Sequence, residues 1–80
     1  MRARVSIRLR PDVLDPQGKA IGQALVTLGF SSVNNVRQGK LIELDVEASD
    51  VGSAEQQVQA MCEKLLANPV IEDYDIEIIA

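Results

Sequence analysis

The stretch VLDPQGKAIGQAL, Val13–Leu25, sets Gly18 and Lys19 at the start of an apolar-periodic run, as phosphate-binding loops do. A Walker loop needs Gly-x-x-x-x-Gly-Lys-Ser/Thr, because successive backbone N–H groups wrap the phosphates and a hydroxyl reaches the metal. Val13 stands where the first glycine belongs, and Ala20 where the hydroxyl belongs. The same residues make a well-punctuated helix start. Asp15 is a good N-cap, and Pro16 suits the first helical position, where its missing N–H would be unpaired anyway. Helix punctuation therefore accounts for the stretch, and Lys19 reads as a solvated charge.

Other chemistries lack their parts. The sequence has no histidine and a single cysteine, so no nucleophile with a base beside it can be picked out. Cys62 falls on the apolar side of a helical run and reads as a small buried hydrophobe. Asp73, Asp75 and Glu77 could be imagined as metal ligands, yet their every-second-residue spacing is that of a strand's polar face, with a row of arginines elsewhere to pair with. Tyr74 is assigned to the core or an interface, Met61 to the core between helix and sheet, and Lys40 to solvent. This chain is therefore expected to hold no cofactor, no metal and no catalytic residue of its own.

Eighty residues make one domain, 1–80, with a thin core, and 46% hydrophobic residues without disulfides point to oligomerisation as the way to bury more. A net charge of −4 is the wrong sign for neutralising a phosphate backbone, and aromatic residues for base stacking are nearly lacking, so nucleic acid is not an expected partner. No N-terminal run resembles a signal peptide or membrane span, and the expectation is a cytoplasmic chain away from membranes.

The elements that would carry these residues emerge from periodicity. RARVSIRLR alternates, with Ala3, Val5, Ile7 and Leu9 on one side and Arg2, Arg4, Ser6, Arg8 and Arg10 on the other, the pattern of a half-buried strand. After Asp15, the residues Ile21, Ala24, Leu25 and Leu28 mark one face of a helix over about Pro16–Leu28, and Gly29 fits the left-handed position beyond its end. A short strand is expected around Val33–Arg37, then a hairpin turn RQGK with Gly39 at positive φ, then a strand in which Ile42, Leu44 and Val46 face inward. Ser53 and Gln56 offer a capping box for a second helix with the stripe Ala54, Val58, Met61, Cys62 and Leu65, which Asn68-Pro69 closes. A last strand turns Tyr74, Ile76 and Ile78 inward.

The order β-α-β-β-α-β, with acidic strands three and four and a basic strand one, implies the sheet order 4-1-3-2, since opposite charges favour neighbouring strands. The fold class is α+β, a ferredoxin-like-related antiparallel sheet with both helices on one face.

Four segments taken together are more specific. They are Leu14, Asp15, Pro16 and Gly18; Leu28, Gly29 and Phe30; Arg37, Gly39 and Lys40; and Leu66, Asn68, Pro69 and Glu72. In this order, over nearly the whole chain, they resemble the PurS family, the small subunits of bacterial phosphoribosylformylglycinamidine synthase. The resemblance implies a non-catalytic subunit that bridges a glutaminase (PurQ) and a large synthetase (PurL) and assists ammonia transfer from glutamine to formylglycinamide ribonucleotide. It implies that the complex, not this chain, uses ATP and magnesium. It also implies a homodimer or homotetramer in which strands of neighbouring chains associate. Gly39 and Asn68-Pro69 have turn chemistry to explain them, whereas Arg37, Lys40 and Glu72 have no local reason and are the candidate partner contacts. The alternative on fold grounds is a ferredoxin-like regulatory module that senses a small molecule such as an amino acid.

Overall fold

The computed structural model describes residues 1–79. Strand β1 (Arg2–Leu9) lies at the centre of a three-stranded antiparallel sheet, between β2 (Gly39–Asp45) and β3 (Glu72–Ile79). Two helices intervene in sequence, α1 (Pro16–Thr27) and α2 (Val51–Met61), the second continued by a π-helical turn over Cys62–Leu66. The α+β class and the central place of the basic strand are as expected.

Alternation along β1 buries Ala3, Val5 and Ile7, each at most 1% exposed, in one cluster with Val58 of α2 and Cys62 of the turn that continues it. Ile42, Leu44, Tyr74, Ile76 and Ile78 close the core from the flanking strands. On the opposite face Arg4 sits across from both Glu43 and Glu77, with contacts of 3.1 and 4.0 Å, while Arg2 reaches Asp45 at 3.8 Å and Arg8 reaches Asp75 at 3.6 Å. Such exposed pairs contribute at most about 1 kcal/mol each. Their larger effect is to select which strands neighbour β1.

Four expectations need correction. The segment Val33–Arg37 is not a strand: Asn35 takes a left-handed φ of 54°, which interrupts an extended run, and the segment folds back along α1 instead of joining the sheet. RQGK is accordingly no hairpin, and Gly39 is not at positive φ. It opens β2 opposite Arg8, where a Cβ would stand 2.7 Å from the Ile7 carbonyl oxygen, so space rather than turn geometry demands glycine there.

Second, the two helices do not share the sheet face. Only α2 covers it; α1 contributes no side chain to the core, and Ile21 and Leu28 of its stripe are 42% and 72% exposed. Helix α1 and the returning chain to Gln38 form an arm, giving the molecule extents of 50 × 25 × 14 Å. Third, α2 is capped by Asp50, whose carboxylate accepts from Ser53 N at 2.7 Å, so Ser53 lies inside the first turn and caps nothing.

Fourth, Leu65 leaves the apolar stripe, at 83% exposure. The Ala67 N–H donates to Cys62 O over five residues, and this wider turn shifts the facing of the subsequent residues by one position, bringing Leu66 and Ala67 to the core instead. Gly29 is left-handed as expected, at φ 104°, and β3 pairs within its own chain.

Candidate functional site

The candidate residues gather at one end of the sheet, where β1 finishes and β2 and β3 begin. Lys40 Nζ approaches Glu72 Oε2 at 4.0 Å, and Glu72 Oε1 accepts from Asn68 N at 2.6 Å. Asn68 organises the turn between α2 and β3: its side chain accepts from Val70 N, and its carbonyl oxygen accepts from Ile71 N and Glu72 N. Arg10 Nη2 donates to Pro69 O at 2.6 Å and its Nε lies 3.6 Å from Asp73, which ties this turn to the end of β1. Arg37 Nη2 donates to Arg10 O at 2.9 Å and to Val13 O at 2.8 Å. Arg37, Lys40 and Glu72 therefore all have internal partners, which their loop positions in the sequence did not disclose.

Asp15 joins the arm to the same region. It is the one buried charged residue among those described, 5% exposed, with Oδ1 accepting from Gly18 N at 2.8 Å and Oδ2 from Gln38 N at 2.6 Å. These backbone donors, with the Arg37 guanidinium, outweigh the effect of burial and hold its carboxyl below the ordinary value of 3.8. A carboxylate with a lowered folded pKa adds stability that is complete above the unfolded value and fades as pH falls through the folded one. The stability difference between the wild type and Asp15→Asn is accordingly expected to be constant at neutral pH and to shrink below about pH 4, as followed by chemical denaturation across pH. The N-cap reading of Asp15 and the N1 placement of Pro16 both stand in the structure, and the side chain of Asp15 occupies the helix start where a phosphate would have to sit.

The remaining groups with chemical potential are engaged elsewhere. The Tyr74 hydroxyl donates to Glu63 Oε1 at 2.6 Å, and that hydrogen bond, followed by burial and the carboxylate's charge, pushes its pKa up to about 12. Burial, then Glu63, pushes the Cys62 thiol up, which keeps it protonated at neutral pH. Asp73 and Asp75 face arginines of the sheet, and the described residues contain no cluster of three or more His, Cys, Asp or Glu arranged to hold a metal. No described helix is long and apolar enough to cross a membrane.

A groove of about 1150 Å³ runs along the arm, lined by Leu14, Lys19, Val26, Val33 and Arg37 among others. Leu65 and Val70, 83% and 76% exposed, leave further apolar side chains bare, Leu65 because the π-helical turn directs it outward and Val70 in the turn before β3. The geometry is that of a scaffold with bare surfaces at both ends.

A family model described as PurS, phosphoribosylformylglycinamidine (FGAM) synthase, matches residues 2–80. The chain is 52% identical over 77 residues to the phosphoribosylformylglycinamidine synthase subunit PurS of Synechocystis sp., an alignment covering 96% of this chain and 77% of that one. It resembles the crystal structure of Methanocaldococcus jannaschii PurS with a TM-score of 0.87 at 43% identity, over 95% of this chain and 92% of the other. A chain in the structure of PurLQS from Thermotoga maritima matches with a TM-score of 0.88 at 36% identity, over 95% and 93%. With matches of this length in sequence and in backbone, the chain belongs to the PurS family of phosphoribosylformylglycinamidine synthase subunits.

Proposed function

We propose that this chain serves de novo purine biosynthesis in the cytoplasm as the accessory subunit that bridges a PurQ-type glutaminase and a PurL-type synthetase. The observation that carries the reading is the near full-length likeness to PurS subunits, including the chain within the Thermotoga maritima PurLQS structure. The glutaminase releases ammonia from glutamine; the large subunit, with ATP and magnesium, activates the amide of formylglycinamide ribonucleotide and adds that ammonia. This chain supplies geometry. Ammonia reacts as the neutral base, so its source and its acceptor have to be held close enough for transfer before it is protonated in bulk water.

Two surfaces suit that task. The sheet end carrying Arg37, Lys40 and Glu72 is the face we assign to one of the partner subunits. The bare apolar residues of the arm, Ile21, Val26 and Leu28, we assign to a second copy of the chain, giving the homodimer or homotetramer.

Mixing the three purified subunits tests the reading. Glutamine-dependent formation of the amidine is expected only when this chain is present, while ammonia supplied directly at high concentration bypasses part of the requirement. Copurification of a bound amino acid with no glutaminase or synthetase would instead favour the sensing module. Within the complex, Lys40→Gln removes the cation beside Glu72 without removing a backbone tie. It is expected to leave the melting temperature of the isolated chain unchanged and to weaken assembly several-fold, read by titration of the subunits against glutamine-dependent turnover. Unaltered assembly would move the interface away from this end of the sheet.

A further inference from the structure

The arm is attached to the sheet through two connectors, residues 10–15 leaving β1 and residues 36–38 entering β2. Because no α1 side chain reaches the core, packing against the sheet does not fix the angle at which the arm stands. Two peptide connectors alone would leave a hinge. The structure instead places a reciprocal pair of ties across them. Asp15, on the first connector, accepts from Gln38 N on the second, and Arg37, on the second, donates to Arg10 O and Val13 O on the first. The Asp15 carboxylate simultaneously caps α1 through Gly18 N, so one buried group binds the helix, the returning chain and the sheet end together. Gly18 makes the closure possible, since a Cβ there would collide with the Val36 carbonyl oxygen.

We propose that Asp15 and Arg37 form a shoulder lock that fixes the angle between arm and sheet, and that they act as positioning residues for ammonia delivery. This rests on the bridging role above. The arm's apolar face and the Lys40–Glu72 end are offered to different neighbours, and the lock sets the geometry between them. A loosened shoulder lets their relative orientation wander. Because Arg37 also stands on the face assigned to a partner, the positioning role rests on Asp15→Asn, whose buried side chain belongs to neither surface. The charged neighbour of Asp15 is Arg37 on the returning chain, and its hydrogen-bond donors are neutral backbone N–H groups of α1 and Gln38; with the carboxylate ionised, those bonds are charge-assisted as well as geometric.

Asp15→Asn separates the lock from the helix cap. Asparagine retains an acceptor for Gly18 N, but its amide group confronts the Gln38 N–H, donor against donor. Arg37→Gln removes the opposite tie while leaving Asp15 in place. For both variants in the full-length chain, hydrogen exchange at Gln38 is expected to accelerate at least about tenfold while the amides of Val5 and Glu77, paired across the sheet with β2 and β1, keep their protection. In the reconstituted complex, the ratio of glutamine-dependent to ammonia-dependent turnover is expected to fall several-fold, and Arg37→Lys, which restores one donor, to recover part of it. A purely structural role would lower sheet protection and both activities together.

Unchanged exchange at Gln38 in both variants would overturn the lock. A loosened shoulder with an unchanged activity ratio would overturn its positioning role while the bridging role survives. If the wild-type chain itself fails to support glutamine-dependent turnover, the bridging role is what fails, and the exchange measurement still decides whether the shoulder is locked.

Discussion

Ile7→Ala is expected to lower the stability of the isolated chain by about 3 kcal/mol, within the range for deleting an aliphatic side chain from a close-packed site. Ile7 is 1% exposed, stands opposite Tyr74 on β3, and is among the largest fully buried side chains of the molecule. Its position on the central strand limits relaxation, because backbone hydrogen bonds to β2 on one side and β3 on the other hold it in register. A domain of this size has little to spare. Total stabilities of about 5–15 kcal/mol are usual, and 3 kcal/mol corresponds to a fall of about 12–24 °C in Tm for a domain of 60–100 residues. Thermal melting beside Leu65→Ala, whose side chain is 83% exposed and is expected to change Tm little, checks the assignment of core and surface.

The second large effect is expected from Gly18→Ala. A methyl group at this position meets the Val36 carbonyl oxygen and comes within 2.7 Å of Asp15 Oδ2, so the returning chain has to move off the helix. Overpacking of this kind costs about 1–3 kcal/mol, and backbone gives less readily than a side chain, which places Gly18→Ala at the upper end. Gly22→Ala provides the contrast. Its added methyl meets only the Val36 side chain, at 3.3 Å from Cγ2, and the gain in helix propensity of up to about 1 kcal/mol offsets that contact. Hydrogen exchange across residues 18–38 is expected to rise for Gly18→Ala and to stay level or slow for Gly22→Ala. Equal behaviour of the two variants would show that Val36 does not approach Gly18 as described.

The sheet was legible in the sequence because both of its signals are local. Alternation picked out Ala3, Val5 and Ile7 as the inward face of β1, and the arginine row between two acidic rows gave the order of neighbours. The arm was not legible, for a physical reason. The period Ile21, Ala24, Leu25, Leu28 shows that one helical face is apolar but carries no information on what covers it, and within this chain nothing of the sheet does. Gly39 illustrates a second ambiguity: the missing Cβ serves a left-handed φ or a close approach equally well, and only the position of the Ile7 carbonyl decides between them. Arg37 illustrates a third. A charged residue beside a glycine reads as loop surface, but its acceptors are carbonyls 24 and 27 residues earlier, and main-chain acceptors carry no side-chain signature. Family motifs marked these positions without saying which served the fold and which served a partner.

The π-helical turn at Cys62–Leu66 also bears on how the chain can change length. Such a turn holds one residue more than the α-helix needs, and Leu65, the residue pushed outward, makes no contribution to the core. Removing a residue here would let the ladder close with ordinary spacing while Cys62 and Ala67 keep facing the sheet. The same deletion in α2 before Cys62 would rotate every later core residue by about 100° and misdirect them all. Within its second helix, then, the chain carries a single residue of slack in its register, located where a homologue could lose one position without repacking its core.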